Sequence, residues 1–254
     1  MLGFILPVVL LLRLLLPAWS GVDWSRYAHW LLNTLGVAAS GAALVLIAVL
    51  GLAYSARVAA RGLPRKLVRT SVVLMSLGYA LPGAVIAVGI LVPLAAFDNG
   101  LDGILKSAVG WGTGLLLTGS VFALLYGYLV RYFAVAYQSV EAGLARITPA
   151  MDASARSLGS PPLDTFARVH LPILMPSLLA AVLLVFVDAM KELPATLVLR
   201  PFNFDTLAIA AYQMASDERL ADAALPALTI VAAGVIPVAL LSRAIVRAAG
   251  PGHA

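Results

Sequence analysis

Six long apolar runs divide this chain, at about residues 2–19, 31–54, 70–96, 112–133, 173–198 and 224–246. About 20 consecutive, mostly apolar helical residues cross the hydrocarbon core of a bilayer. Only a helix or a closed barrel satisfies its own backbone N–H and C=O groups there. With 254 residues and six such runs the connections are short, and no room is left for a sizeable soluble domain. The expected fold is therefore an all-α membrane protein, a bundle of about six transmembrane helices forming one domain over 1–254. Only 11% of the residues are charged, against about 25% in soluble domains. Arg13 interrupts the first run and no small-residue cleavage site follows cleanly, so that run reads as a span and not as a removed signal.

Charge placement sets the orientation. Arg57, Arg61, Arg65, Lys66 and Arg69 lie in one connection without an acidic residue, which puts that loop in the cytoplasm. Alternation then makes both termini cytoplasmic. Arg131, Arg146, Arg156, Arg168, Arg243 and Arg247 join the inside set, while Arg26, Lys106, Arg200 and Arg219 fall outside. The expected location is a bacterial plasma (inner) membrane, with lipid as the surrounding partner. The net charge of +5 follows from this asymmetry and does not point to nucleic acid. Trp24, Trp30 and Trp111 sit near expected outer interfaces, where aromatic anchors are common. Cysteine is absent, which excludes disulfides and thiolate chemistry, and His29, His170 and His253 are too scattered to suggest a metal site.

The longest inside connection, about 134–172, carries most of the information. Thr148 is placed to cap a short helix with Pro149 in its first turn, Asp152 near its positive end and Gly159 closing it in a left-handed conformation. Ser160, followed by Pro161, starts a second. There Leu163, Phe166, Ala167 and His170 fall on one face, and Asp164 and Arg168 form an i, i+4 pair. On the first helix Met151, Ala155 and Leu158 share a face. Two short amphipathic helices of this kind are shaped to dock in a groove of a soluble partner, and a loop lying on the lipid headgroups is the alternative.

The run Ala153-Ser154-Ala155-Arg156-Ser157-Leu158-Gly159, nine residues, then Val169-His170-Leu171-Pro172 resembles the EAA loop of ABC importer permeases. That pattern reads Glu-Ala-Ala, three residues, Gly, nine residues, Ile, any residue, Leu-Pro. Ala155, Gly159, Leu171 and Pro172 match in register and Val169 replaces Ile. Ala153 stands where the Glu belongs, with Asp152 one residue earlier. The resemblance implies that Asp152 to Arg156, Gly159, Phe166, Leu171 and Pro172 form a coupling segment seated on an ABC ATP-binding subunit. No G-x-x-x-x-G-K-[ST] phosphate loop occurs, so ATP and magnesium are expected on that partner and no cofactor on this chain, which reads as a translocating subunit and not an enzyme.

Asp188, Lys191 and Glu192 form a second constellation, inside the fifth run and followed by Pro194. On a continuous helix they would share one surface, about 24 to 30 Å beyond Pro172. Ionisable groups at that depth face a partner or an aqueous path. Both a structural ion cluster and a lining of the outer gate fit this spacing. Pro82-Gly83 and Pro194 are candidates for freeing backbone carbonyls toward a cavity, and packing kinks are the alternative.

The stretches Met190 to Pro201, Phe204 to Ala208, Ala215 to Pro226 and Gly78 to Gly83 look like the ferric-iron branch of these permeases, closest to the C-terminal half of its fused two-set members. The resemblance implies an extracytoplasmic solute-binding protein and a second permease half, which is a homologous chain, a second copy or a fused N-terminal half. It makes ferric iron the first substrate expectation, with thiamine, polyamines and oxyanions as alternatives. A rival reading is an ATPase-independent secondary transporter or channel using Asp188, Lys191 and Glu192 as an ion relay. An intramembrane hydrolase is disfavoured by the lack of H-E-x-x-H and G-x-S-x-G.

Overall fold

The computed structural model describes residues 2–58 and 63–248, and among them there are helices and turns but no strand. Arg61 and His253 lie outside the described residues. The helices are α1 (Leu2–Ala18), α2 (Trp24–Val58), α3 (Leu63–Ser76), α4 (Gly83–Val109), α5 (Val121–Leu144), α6 (Pro149–Ser157), α7 (Pro162–Thr165), α8 (Leu171–Met190), α9 (Pro194–Leu199), α10 (Leu207–Ser216) and α11 (Leu220–Ala248). Among the described residues, four helical stretches are long and apolar enough to cross a membrane: Leu2–Gly21, Trp24–Arg57, Gly83–Val109 and Leu163–Met190. The fourth and sixth expected spans fall on α5 and α11. In α5, Tyr126, Tyr128, Arg131, Tyr132, Gln138 and Glu141 dilute the apolar character.

Two runs expected to be continuous are broken. Within 70–96, α3 ends at Ser76, a 3-10 turn covers Leu77–Ala80, and Leu81 is extended at φ −86 and ψ 143. Proline disfavours helical geometry in the residue before it, so Pro82 forces this break and starts α4. Residues 112–120, read as the start of a span, form a loop. Gly110 ends α4 in the left-handed region at φ 83, and Gly114 and Gly119 also have positive φ. Asp98, fully buried in α4, organises that loop by accepting the N–H groups of Leu117 and Thr118, the latter at 2.7 Å. Leu115 to Leu117 are apolar, yet the Leu117 N–H is committed to this carboxylate and not to a helix.

The chain divides into two compact units, each discontinuous in sequence. One comprises Met1–Gly41, Pro82–Tyr128 and Phe186–Ala254. Its core includes Trp30, Leu207 and Ala210, with Tyr27, Leu31, Met214 and Ile230 packed around them. Trp30 is therefore buried, where the sequence suggested an interface anchor, while Trp24 and Trp111 are exposed. Thr34 Oγ1 accepts the Leu207 N–H at 2.8 Å and donates to the Trp30 carbonyl at 2.7 Å, tying α2 to the start of α10.

The other unit comprises Ala42–Leu81 and Leu129–Val185. Val45 and Val49 of α2, Phe133 and Val140 of α5, and Leu174 of α8 are fully buried in it. Small residues set two close approaches. A Cβ at Gly78 would lie 2.1 Å from the Val130 carbonyl oxygen, and one at Gly143 would lie 2.7 Å from Ser177 Oγ.

Candidate functional site

In the second unit, α6 is held by its side chains more than by its cap. Thr148 has the extended conformation of a cap residue, but its side chain makes no capping bond. Pro149 starts the helix, where its missing N–H costs nothing. Asp152, in the first turn, points away from the free N–H groups. Its Oδ2 accepts from Arg57 Nη2 at 2.7 Å, and its Oδ1 lies 2.8 Å from His170 Nε2, which donates to it. Arg57 Nη2 also donates to the Ile147 carbonyl at 3.1 Å, in the turn before α6. One arginine at the end of α2 thus fixes both the approach to α6 and its first turn.

Partial burial pushes the Asp152 carboxyl up, but the hydrogen bonds from His170 and Arg57, with their attraction, hold it below the ordinary carboxylate value. The carboxylate is therefore ionised at neutral pH. His170 is buried, and its Nδ1 and the Arg57 Nε make no hydrogen bond within the protein. Tyr54, Arg57, Asp152, Arg156, Ser160, Thr165 and His170 line a cavity of about 230 Å³.

Gly159 closes α6 as its residue type predicts, at φ +76. The Ser160 N–H reaches the Ala155 carbonyl and the Gly159 N–H the Arg156 carbonyl, both at 3.0 Å, the paired bonds of a Schellman motif. The second short helix begins at Pro162, one residue later than expected, and does not stand alone. It runs through a π turn, Phe166–His170, directly into α8. Leu171 and Pro172 open α8 immediately after the π turn. Arg168 and Asp164 pair at 2.7 Å, as their spacing predicts.

The π turn resets the helical phase, so the expected face of Leu163, Phe166, Ala167 and His170 does not exist. His170 is buried and Phe166 packs on Tyr54, with ring centroids 4.8 Å apart, while Leu163 is 80% exposed. The expected face of Met151, Ala155 and Leu158 splits likewise: Ala155 is buried and Leu158 is 85% exposed. The outward apolar residues are Met151, Leu158 and Leu163. Ala153 and Ser154, in the place of the Glu and first Ala of the EAA pattern, are exposed, as is Arg156.

The Asp188, Lys191 and Glu192 cluster lies in the first unit and does not share one helical surface. α8 ends at Met190. Lys191 turns back to Asp188 at 2.9 Å and is mostly exposed. Glu192 is buried on a different course, and its Oε1 accepts the Ala195 N–H at 3.1 Å, capping α9, which Pro194 opens. Next to it Tyr128 and Thr196 share a buried hydroxyl contact of 2.7 Å. Pro82 is the cap residue of α4 and its own carbonyl accepts from Val85 and Ile86, while the carbonyl four residues before it, of Gly78, accepts from the Leu81 N–H. The carbonyl of Leu81 is taken by Arg131 Nη1 at 3.0 Å. Among the described residues no three His, Cys, Asp or Glu side chains are grouped to hold a metal ion.

Residues 51–252 match the family described as the binding-protein-dependent transport system inner membrane component. The chain belongs to that family. This permease is 28% identical over 240 residues to the Fe(3+)-transport system permease protein FbpB 2 of Haemophilus influenzae, covering 93% of its own length but only 44% of that relative. It is 32% identical over 241 residues to the putative 2-aminoethylphosphonate transport system permease protein PhnV of Salmonella typhimurium, covering 90% of itself and 83% of the relative. Its fold matches a chain of a bacterial ABC transporter involved in alginate import, with a TM-score of 0.64 over 86% of this chain and 79% of that one at 14% identity. A second structure, of an alginate ABC transporter in complex with a pentasaccharide-bound periplasmic protein, matches with the same TM-score over 95% of this chain and 87% of that one.

Proposed function

We propose that this permease is the translocating subunit of an ATP-driven importer, and that α6 and the turn after it dock on the ATP-hydrolysing partner. The observation that carries this reading is the Arg57–Asp152–His170 clamp. It makes α6 a rigid lever while Met151, Leu158 and Leu163 remain outward. Movement of a partner groove would pass through Asp152 and Arg57 into α2, and through the π turn into α8. Both termini lie in the cytoplasm of a plasma (inner) membrane, and a second permease half completes the path. Solute arrives from an extracytoplasmic binding protein, and ATP with magnesium sits on the partner.

Ferric iron is the first substrate candidate, through similarity to FbpB 2, and 2-aminoethylphosphonate stands beside it through the longer match to PhnV. Both are small charged solutes that a soluble receptor can select before the membrane step. The test is a mild-detergent pull-down of the tagged chain, followed by uptake of each solute in vesicles containing the recovered complex. Recovery of an ATP-binding subunit and ATP-dependent uptake of one solute are expected. An intact chain that recovers no ATPase and moves solute down an ion gradient would favour the secondary transporter.

A further inference from the structure

Another cavity of the second unit lies away from the clamp. About 880 Å³ in volume, it is lined by Lys66, Arg69, Val72, Val73, Ser76 and Leu77 from α3 and the turn after it, by Tyr137, Gln138 and Glu141 of α5, and by Ala56 of α2. Lys66, Arg69, Val73 and Ser76 are spaced at i, i+3, i+7 and i+10 of α3, so they form one stripe of its surface, and Leu77 begins the 3-10 turn that follows it. Polarity changes along that stripe: both cations stand at its start and the apolar residues follow. From Lys66 to Leu77 is about 16 Å, close to half the thickness of the hydrocarbon core, about 15 Å. Lys66, Arg69, Val73 and Leu77 are all exposed, so the stripe is open to a ligand.

A ligand matching this stripe has an anionic head and an apolar tail of leaflet length. Among the described residues of the lining, Glu141, which accepts from the Tyr137 hydroxyl at 3.4 Å, is the one acid beside the cations Lys66 and Arg69. A free phosphate or phosphonate would leave Val72, Val73 and Leu77 without a counterpart, whereas a phospholipid fills both the cationic and the apolar part of the groove. We propose that this groove binds an anionic phospholipid, its phosphodiester on Lys66 and Arg69 and one acyl chain along Val72, Val73 and Leu77. The orientation proposed above would make this a lipid of the cytoplasmic leaflet; the chemistry of the groove does not depend on that orientation.

The full chain is reconstituted in nanodiscs of phosphatidylcholine and phosphatidylglycerol, and the lipids retained after release are measured by native mass spectrometry. Wild type is expected to retain phosphatidylglycerol preferentially. K66Q with R69Q should lower that retention by about 25-fold, taking about fivefold for each charge. The charge-keeping pair Lys66→Arg and Arg69→Lys should preserve it, and Leu77→Gln should weaken it with both charges in place. Unchanged retention in the double glutamine variant overturns the proposal. Displacement of the lipid by inorganic phosphate or 2-aminoethylphosphonate also overturns it and marks a soluble-anion site. Occupation of the groove by a second copy of the chain, seen as a cross-link from Val73, overturns it as well. Lipid retention requires neither ATP nor an ATPase, so it can fail while the importer function stands.

Discussion

Replacing Asp152 with Asn keeps the shape of the side chain and removes the charge on which the clamp converges. The aspartate side chain is 24% exposed, the Arg57 side chain 21% and that of His170 4%. Breaking a buried pair on one side costs about 3–5 kcal/mol, and partial exposure places this pair at the lower end, near 3 kcal/mol. The loss falls on the seating of α6 and not on the whole fold, because the core residues of the unit on α2, α5 and α8 are untouched. At about 1.4 kcal/mol for each factor of ten, the opening equilibrium of α6 should rise by about two orders of magnitude. Amide hydrogen exchange across Pro149–Ser157 reads this directly and should accelerate by that factor, with exchange in α8 near Leu174 unchanged. A double-mutant cycle with Arg57→Ala should return a coupling of at least about 1 kcal/mol. Unaltered exchange across α6 in Asp152→Asn would refute the claim that the clamp seats it.

The same carboxylate gives a pH dependence with a defined sign. Its pKa is lowered in the folded protein, so the stabilisation is complete above the ordinary carboxylate range and is lost as pH falls through the depressed value. Exchange of α6 should therefore be insensitive to Asp152 titration near neutrality and accelerate only in acid. Gly159→Val forces a β-branched residue to φ +76 where a Cβ meets no neighbour, so its cost is backbone strain of about 1–3 kcal/mol. It should reduce recovery of the ATPase in pull-downs more than it lowers thermal stability. Glu192→Ala leaves the buried Ala195 N–H without its acceptor, a loss of about 1–3 kcal/mol, whereas Glu192→Gln keeps an acceptor. Comparable thermal stability of Gln and wild type with impaired uptake would assign the charge to the solute path, and full uptake by Gln would assign Glu192 to capping alone. Gly78→Ala places a methyl group against the Val130 carbonyl and should destabilise the second unit, measurable as a lower midpoint of thermal unfolding.

Features set by neighbouring residues were legible in the sequence. Pro149, Gly159 and the Asp164–Arg168 pair act locally, and each is where its residue type and spacing placed it. The clamp was not legible, because Arg57 and Asp152 are 95 residues apart and Arg57 reads first as one more cytoplasmic charge. Asp152 beside the absent Glu of the EAA pattern was the nearest signal. Helical faces past Phe166 were misassigned because periodicity assumes 3.6 residues per turn, and a π turn breaks that phase. The same assumption joined Asp188, Lys191 and Glu192, although Pro194 marks the start of a new helix and the turn before it separates the lysine from the glutamate. Apolar content alone extended a span through residues 112–120, where a buried carboxylate and the positive-φ glycines Gly114 and Gly119 hold a loop.

The central claim is that the outward face of α6 and the turn after it meets an ATP-hydrolysing partner. Photo-cross-linking from position Leu158 in intact cells tests it directly, since that side chain is exposed and takes no part in the clamp. The predicted product is a covalent adduct with an ATP-binding subunit, whose yield falls when Asp152→Asn is added. An adduct with lipid alone, with solute uptake intact and independent of ATP, would contradict the account.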